Sequence, residues 1–204
     1  MTDSHSTATT PPAMQNFLAH YTPTQTTPAA PALIEAYRGL LPDALLELWR
    51  IGGIGQYNDG LLNVIDPDRY KDVLWGWLMR EEEDPSRLPI AISAFGTIFY
   101  YRRLSDEGDE DVASIDPHTS DGEVLIWSLE DFFNETLCDP EFVEQDLEAP
   151  LFRDALAAQG PLAPDQMYCP VPALRLGGSK RADALDRGDA ATHLDFLLQL
   201  ALGE

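Results

Sequence analysis

The side chains in this sequence that are best suited to chemistry are its four histidines, and their spacing supports no catalytic or metal site. No histidine has a second one at the spacing of a zinc site, and none stands in a known nucleophile motif. We therefore expect structural or surface roles for all of them, with no metal and no cofactor. The four are His5, His20, His118 and His193.

Two glycine-rich segments invite comparison with phosphate loops. Residues Gly52–Gly55 follow a helical pattern rather than a strand, and no Lys-Ser or Lys-Thr pair comes after them. Residues Leu176–Lys180 contain Gly-Gly and a lysine, but the upstream glycine is missing, and Pro170 and Pro172 interrupt the preceding strand. Neither segment predicts phosphate binding, and the first predicts a helix end.

The carboxylates offer no catalytic pair either. The loop Asp106–Asp111 lacks the alternating acids and the terminal glutamate of a calcium loop. Pairs such as Glu130 with Asp131, or Asp66 with Asp68, stand at predicted helix starts, where the helix dipole favours negative charge. We therefore expect a protein that is not an enzyme, with no catalytic residues.

The ends and the cysteines indicate the compartment. Met1–His5 has neither a basic region nor an apolar one, so it predicts no secretory signal. No apolar run approaches the roughly 18 to 20 residues that cross a bilayer. Cys138 and Cys169 have no CxxC spacing, which favours buried thiols over a disulfide or a metal pair. We expect a cytoplasmic protein.

The charge is strongly negative and unevenly placed. The 204 residues include 35 acids and 13 bases, a net charge of −22. Residues 104–165 hold 18 of the acids and a single base, Arg153, so this segment has a net charge of −17. Direct contact with nucleic acid or an anionic membrane is disfavoured, because phosphate contacts require lysine and arginine. A basic protein is the natural partner.

Two interpretations of the acidic segment stay open. It is either a solvated face that keeps the protein soluble, or a docking surface for a cationic partner. In the second case we expect the contacts in one loop and one helical region. The candidate partner-binding residues are Asp106, Glu107, Asp109, Glu110 and Asp111, with Asp139, Glu141, Glu144, Asp146 and Glu148.

The elements that must position these residues can be followed along the chain. Residues 1–13 predict a disordered tail, 14–21 a short helix and 22–31 an extended connector. Apolar spacing then predicts helices from Ala32 and from Pro42, and another that Asp66 caps. Short strands are predicted over 55–57, 61–65, 88–93, 97–102, 112–115 and 123–127.

The remainder is mainly helical. Ser128 is the expected N-cap of the next helix, followed by helices over 140–147, 150–159 and 190–202, with a compact irregular or strand-like stretch at 167–178. The turns between strands are too short for crossover helices, so the strands should be antiparallel. The fold class is therefore α+β, with helices around a small, mainly antiparallel sheet and a helical C-terminal part packed on it.

Two stretches resemble known families. The first runs from Leu41-Pro42 through Trp49 and Gly52-Gly53-Ile54-Gly55 to Asp66-Pro67-Asp68, and it resembles the GAD-like domain. The second is Met167–Gly178 followed by His193–Leu200, and it resembles the ending of the DUF1851 domain, although Pro170 replaces the usual aromatic residue. The resemblance covers about Met14 to Leu202. It implies a GAD-like domain over 14–127 and a DUF1851-like domain over 128–204.

Proteins with this pairing are similar to type VI secretion immunity proteins, notably those that neutralise DNase toxins. The resemblance implies an immunity protein that binds a cognate toxin, a basic nuclease domain, and occludes its active site or substrate-binding surface. It names no contact residues. The alternative is a small-molecule or regulatory binding module similar to the SUKH group, which shares the helix–turn around Gly52-Gly53, or an enzyme with an unrecognised site.

Overall fold

The structure is a computed structural model, which describes residues 13–203. The tail predicted over 1–13 lies outside these residues except for Ala13. None of the helices in the described range is both long and apolar enough to traverse a bilayer. The helices are α1 (Gln15–His20), α2 (Pro31–Tyr37), α3 (Asp43–Ile51), α4 (Lys71–Trp77), α5 (Leu129–Asn134), α6 (Pro140–Gln145), α7 (Ala149–Gln159) and α8 (Ala190–Leu202).

A seven-stranded sheet runs through the first two thirds of the chain. Each strand pairs antiparallel with the strand before it, so the order in the sheet follows the sequence. The α+β class and the antiparallel sheet are thereby confirmed. The strands are β1 (Pro23–Thr27), β2 (Ile54–Tyr57), β3 (Leu62–Val64), β4 (Arg87–Ser93), β5 (Ile98–Arg103), β6 (Glu110–Asp116) and β7 (Asp121–Ile126), and a separate hairpin joins β8 (Gln166–Pro170) to β9 (Leu185–Asp189).

The prediction of an extended connector over 22–31 is wrong for the first half of this segment. Pro23–Thr27 forms β1, which pairs with β2 at one edge of the sheet. An edge strand that is largely exposed does not need alternating apolar residues, so its Thr-rich sequence lacks the usual strand pattern. Threonine nonetheless favours extended backbone, which the pairing uses.

Helices cover both faces of the sheet. Successive residues of a strand point to opposite faces. The Phe99 ring packs on Phe132 of α5 and Phe142 of α6, with centroids 5.3 and 6.2 Å away. Tyr100 points the other way and lines a groove with Trp77 of α4. The central strands β4 to β6 are therefore almost wholly buried.

Local signals set the helix ends where the sequence indicated. Ser128 Oγ accepts a hydrogen bond from the Asp131 amide at 3.2 Å, and so caps α5. Asp66 Oδ1 accepts one from the Asp68 amide at 3.0 Å, although the first turn there is 3₁₀ and α4 begins at Lys71. Gly52 ends α3, as predicted.

The C-terminal part folds back onto the sheet. The Tyr168 amide of β8 donates to the Ala94 carbonyl oxygen at 2.8 Å. On α8, Leu194 and Leu197 are fully buried. Apolar side chains from Met14 to Leu194 form one contiguous core. The boundary at 127/128 stays a prediction.

Candidate functional site

The turn between β5 and β6 holds three exposed carboxylates in a rigid arrangement. Ser105 Oγ accepts hydrogen bonds from the Glu107 and Asp109 amides, both at 3.2 Å, and donates to Asp109 Oδ2 at 2.9 Å. Gly108 adopts φ +101°, a conformation that glycine takes without strain. Asp106, Glu107 and Asp109 are therefore presented to solvent by an ordered turn.

The other two predicted residues of this loop face inward. Asp111 is fully buried, and its carboxylate accepts two hydrogen bonds from the Arg102 guanidinium at 2.6 Å each. Its burial argues against the predicted place in a partner-binding surface: both faces of β6 are covered, and the side chain of Asp111 points towards Arg102 on the neighbouring strand. Glu110 is half-buried, and its Oε1 accepts from the Leu129 amide at 2.9 Å. Glu110 thus helps to hold the start of α5.

An aromatic residue lies beside this turn. Trp127 is 71% exposed and Leu104 is 42% exposed. Both line a shallow depression with Asp109 and Glu110. The strand predicted over 123–127 included Trp127, but β7 ends at Ile126. Its position directly before the N-cap Ser128 gave no signal of exposure, because an apolar residue there often packs against the helix that follows. We name this surface the loop patch: Leu104, Asp106, Glu107, Asp109 and Trp127.

The second predicted set lies on α6 and the turn after it. Asp139 is the N-cap of α6, where its Oδ1 accepts from the Glu141 amide at 2.9 Å. Glu144 is exposed and pairs with Arg153 at 3.4 Å. Glu148 is half-buried and pairs with Lys180 at 2.7 Å. All five acids of this set have a solvent-facing part, so the structure leaves each of them accessible.

Two members of this set, Asp146 and Glu148, line a groove at the β6–β7 end of the sheet. The groove has a volume of about 500 Å³ and lies between the end of α6 and strands β6 and β7. Burial, and next the negative charge of Glu141, raise the pKa of Asp146. We name this surface the acidic groove; its carboxylates are Asp116, Asp121, Glu123, Asp146 and Glu148.

Three of these five acids were absent from the sequence-based candidates. Asp121 and Glu123 stand two apart on β7, and Asp116 is the cross-strand partner of Asp121. Residues two apart on a strand share a face, so the alternation of acids in β7 was the available signal. Sequence reasoning treated this stretch as a turn and a returning strand only.

The loop patch and the acidic groove are separate surfaces. The loop patch lies at the Glu110 end of β6, and the groove reaches the Asp116 end of the same strand. Six residues of extended backbone span roughly 20 Å. The structure therefore does not bring the two predicted acidic segments into one compact site.

The buried histidines have structural surroundings. The His118 amide donates to Asp116 Oδ1 at 2.8 Å, and the His118 Nε2–H donates to the Phe95 carbonyl oxygen at 3.0 Å. Burial lowers the pKa of His118, and also that of His193, on which nearby His118 has a further lowering effect. Among residues 13–203, no three His, Cys, Asp or Glu side chains are grouped so as to hold a metal.

The two cysteines are free thiols in the described part of the chain. Cys169 is buried, and burial raises its pKa to about 12, so it is a poor nucleophile at neutral pH. Cys138 is half-buried, and its pKa is also raised by burial. Both fit the packing role that their spacing predicted.

The chain is similar to two protein families and to a solved structure. Residues 13–108 match the GAD-like domain, and residues 128–201 match the family described as T6SS immunity protein Tdi1, C-terminal. The solved structure described as Atu4351 from Agrobacterium tumefaciens has the same fold, with a TM-score of 0.69 at 20% identity over 91% of this chain and 88% of that one. No curated protein matches the chain. The second match supports an immunity role.

Proposed function

We propose that this chain, which joins a GAD-like domain to the C-terminal domain of the type VI secretion immunity protein Tdi1, neutralises a cognate nuclease toxin by covering its substrate-binding surface. It does so without chemistry of its own. The site of action is the cytoplasm of the cell that makes it. The claim of an immunity role rests on the second family match, and the finer claims rest on the surface described above.

The observation that carries the proposal is the composition of the loop patch. Protein interfaces owe most of their binding energy to a few aromatic or arginine anchors, surrounded by contacts that exclude water. Trp127, which is 71% exposed, is such an anchor, and Leu104 enlarges its apolar area. The exposed carboxylate of Asp109 lines the depression with them, and Asp106 and Glu107 are exposed in the same turn. A basic partner would find an apolar centre and a complementary rim here.

A nuclease is the physical complement of this surface. Enzymes that bind DNA carry lysine and arginine along the groove that receives the phosphates. An acidic protein with net charge −22 is drawn to that groove and competes with DNA for it. Covering the groove would stop cleavage without any contact to the catalytic groups themselves.

The acidic groove provides a second contact region in this proposal. Asp139, Glu141 and Glu144 extend it along α6 beyond Asp146 and Glu148. Because the groove and the loop patch lie roughly 20 Å apart along β6, a partner that reaches both must span a surface of standard interface size. We propose that both contribute to association, with the anchor residue in the loop patch.

The test uses the full chain and the product of any toxin gene that lies next to its own gene. We expect a complex with a dissociation constant in the nanomolar range or tighter, loss of DNA cleavage at equimolar protein, and protection of cells that express the toxin. Failure to bind and to protect would refute the immunity assignment for that pair. A catalytically inactive toxin variant tests occlusion separately, because it should release a labelled DNA duplex when the protein binds. Neutralisation with retained DNA binding would refute occlusion alone.

A companion assay addresses chemistry in the chain itself. We expect no nuclease or hydrolase activity from the purified protein, and no stoichiometric transition metal by elemental analysis. The reason is that no histidine, cysteine or glycine-rich segment of the sequence forms a known catalytic or metal-binding motif. One metal ion per chain, bound tightly enough to survive purification, would contradict this expectation.

A further inference from the structure

A cleft lies at the opposite edge of the sheet from the acidic groove. It has a volume of about 500 Å³, within the range of about 300 to 1,000 Å³ that is usual for small-molecule sites. Strands β1 to β3 form its floor, and the segment after α7 forms its roof. The polar residues that line it include Gln25, Thr27, Gln56, Asn63, Arg69 and Asp165.

The roof of this cleft is held by two glutamine side chains from the floor. Gln25 Nε2 donates to the Leu162 carbonyl oxygen at 3.2 Å, and Gln56 Nε2 donates to the Ala163 carbonyl oxygen at 2.7 Å. These bonds bridge residues more than 100 positions apart in the chain. The cleft is therefore preformed by the fold.

Two buried polar groups in the cleft remain unpaired. Gln56 is 1% exposed and Asn63 is 4% exposed, and both line the cleft. Within residues 13–203, Gln56 Oε1 and Asn63 Nδ2 have no hydrogen-bond partner. A buried polar group without a partner is unfavourable, so each such group in a folded protein calls for an explanation.

These two groups form a matched donor and acceptor. Gln56 and Asn63 are direct cross-strand partners, so their side chains share a face with Cβ atoms about 5 Å apart. Because Gln56 Nε2 is engaged with Ala163, its Oε1 is the free atom and can only accept. Asn63 Nδ2 can only donate. A ligand group with an N–H beside a C=O satisfies both at once.

The charged residues that line the cleft are one base, Arg69, and two acids, Asp66 and Asp165. The Arg69 guanidinium pairs with Asp165, lies 3.7 Å from an oxygen of Asp189, and stacks over Tyr70 with 5.8 Å between the guanidinium carbon and the ring centroid. Asp66 Oδ1 is engaged as a helix cap. Arg69 is the only base among the described residues that line the cleft, and it is already paired. The cleft therefore offers no free cation to an anionic ligand, and an uncharged ligand suits its donor and acceptor pair.

We propose that this cleft binds a small neutral molecule through an amide edge, an N–H donor beside a C=O acceptor. Gln56 Oε1 accepts from the ligand N–H, and Asn63 Nδ2 donates to the ligand carbonyl oxygen. The roof, which residues 162–165 form, shields these hydrogen bonds from water, and this strengthens them. This inference does not depend on toxin binding, because the cleft contains no residue of the loop patch or the acidic groove.

The experiment uses the uniformly ¹⁵N-labelled full chain and 2-piperidone, a cyclic amide whose N–H and C=O lie on one edge. N-methyl-2-piperidone, which lacks the donor, is the matched control. We expect 2-piperidone to shift the side-chain amide resonances of Gln56 and Asn63, with a dissociation constant of about 1 mM because so small a ligand makes few contacts. We expect the N-methyl compound to bind at least tenfold more weakly.

A variant separates binding from packing. Asn63→Leu removes the donor with a side chain of similar volume, and we expect it to fold and to lose the response to 2-piperidone. If neither compound shifts these resonances at concentrations up to about 50 mM, the cleft does not bind an amide edge and the proposal fails. Equal shifts by both compounds, or an unchanged response in Asn63→Leu, would also overturn it. The amide spectrum of the variant shows whether it is folded.

Discussion

Arg102 and Asp111 face each other across β5 and β6 as a bidentate ion pair, with Nε and Nη2 each 2.6 Å from a carboxylate oxygen of Asp111. The Asp111 side chain is fully buried, while that of Arg102 is 22% exposed. The hydrogen bond to Asp111 raises the pKa of Arg102, against the lowering effect of burial. Asp111 is therefore part of the sheet's interior, whereas Asp106, Glu107 and Asp109 of the same run are exposed to solvent.

Replacing Asp111 should destabilise the fold. Asp111→Asn removes the negative charge and leaves the Arg102 guanidinium without its counter-ion in a mostly buried position. We expect the free energy of unfolding to fall by roughly 2–4 kcal/mol, somewhat below the usual cost of breaking a fully buried pair. Urea denaturation measures it. Asp109→Asn, in the exposed turn, is the matched control, and an equal loss in both variants would contradict the distinction.

Removing the exposed charges of the loop patch should slow association with the toxin. In the variant Asp106→Asn, Glu107→Gln, Asp109→Asn, we expect a several-fold lower association rate at low salt and a flatter salt dependence, because rim charges act mainly through steering. Dissociation should change less. Stopped-flow mixing at two ionic strengths gives both rates.

The control for this variant changes net charge by the same amount elsewhere. Glu81, Glu82 and Glu83 are exposed in the loop before β4, and their replacement by glutamine should have a smaller effect. A second variant tests the other proposed contact region with Asn and Gln at Asp139, Glu141, Glu144, Asp146 and Glu148. Association rates unaltered in both acidic-surface variants would place the interface outside them.

Truncating Trp127 should shorten the lifetime of the complex. Trp127→Ala removes a side chain that is 71% exposed in the free protein, so its folding should be little affected. We expect dissociation to accelerate about 30-fold or more, the effect of losing an interface anchor worth about 2 kcal/mol. Surface plasmon resonance reports the dissociation rate. Leu202→Ala, at a side chain 51% exposed on α8, serves for comparison, and equal rates in wild type and Trp127→Ala would remove Trp127 from the interface.

Stability should decrease as the solution is made mildly acidic. Burial lowers the pKa of both His118 and His193, so the unfolded chain takes up protons near its ordinary pKa of about 6.5 while the folded protein resists them. The resulting stability is present above pH 6.5 and is lost as the pH falls towards the folded values. Asp116 and Glu148 oppose the shift of His118, whereas Lys180 adds to it.

Denaturation at pH 7.5 and 5.5 measures this dependence. Removal of one of the two rings in His193→Gln should reduce the difference in unfolding free energy between the two pH values. His20→Gln is the matched control, because that ring is exposed. A difference that is identical in wild type and in His193→Gln would show that His193 plays no part in it.

The sequence by itself determined most of the local structure and the class of fold. Apolar periodicity and caps such as Ser128 predicted the helices, because these signals act within one or two turns. The short turns between apolar strands predicted antiparallel pairing for the same reason. Charge counting alone located the acidic segment. The sequence did not predict edge strand β1, since an exposed edge strand needs no alternation of apolar residues.

Only the tertiary structure decided which acids face solvent. Asp106 to Asp111 look equivalent along the chain, yet the strand pairing turns Asp111 inward to Arg102 and aims Glu110 at the start of α5. Whether a charged side chain can be buried depends on the residue opposite it on the neighbouring strand, and a short stretch of sequence does not contain that residue. The same holds for Gln56 and Asn63, which line one cleft only because β2 and β3 align and the distant segment 162–165 packs against them.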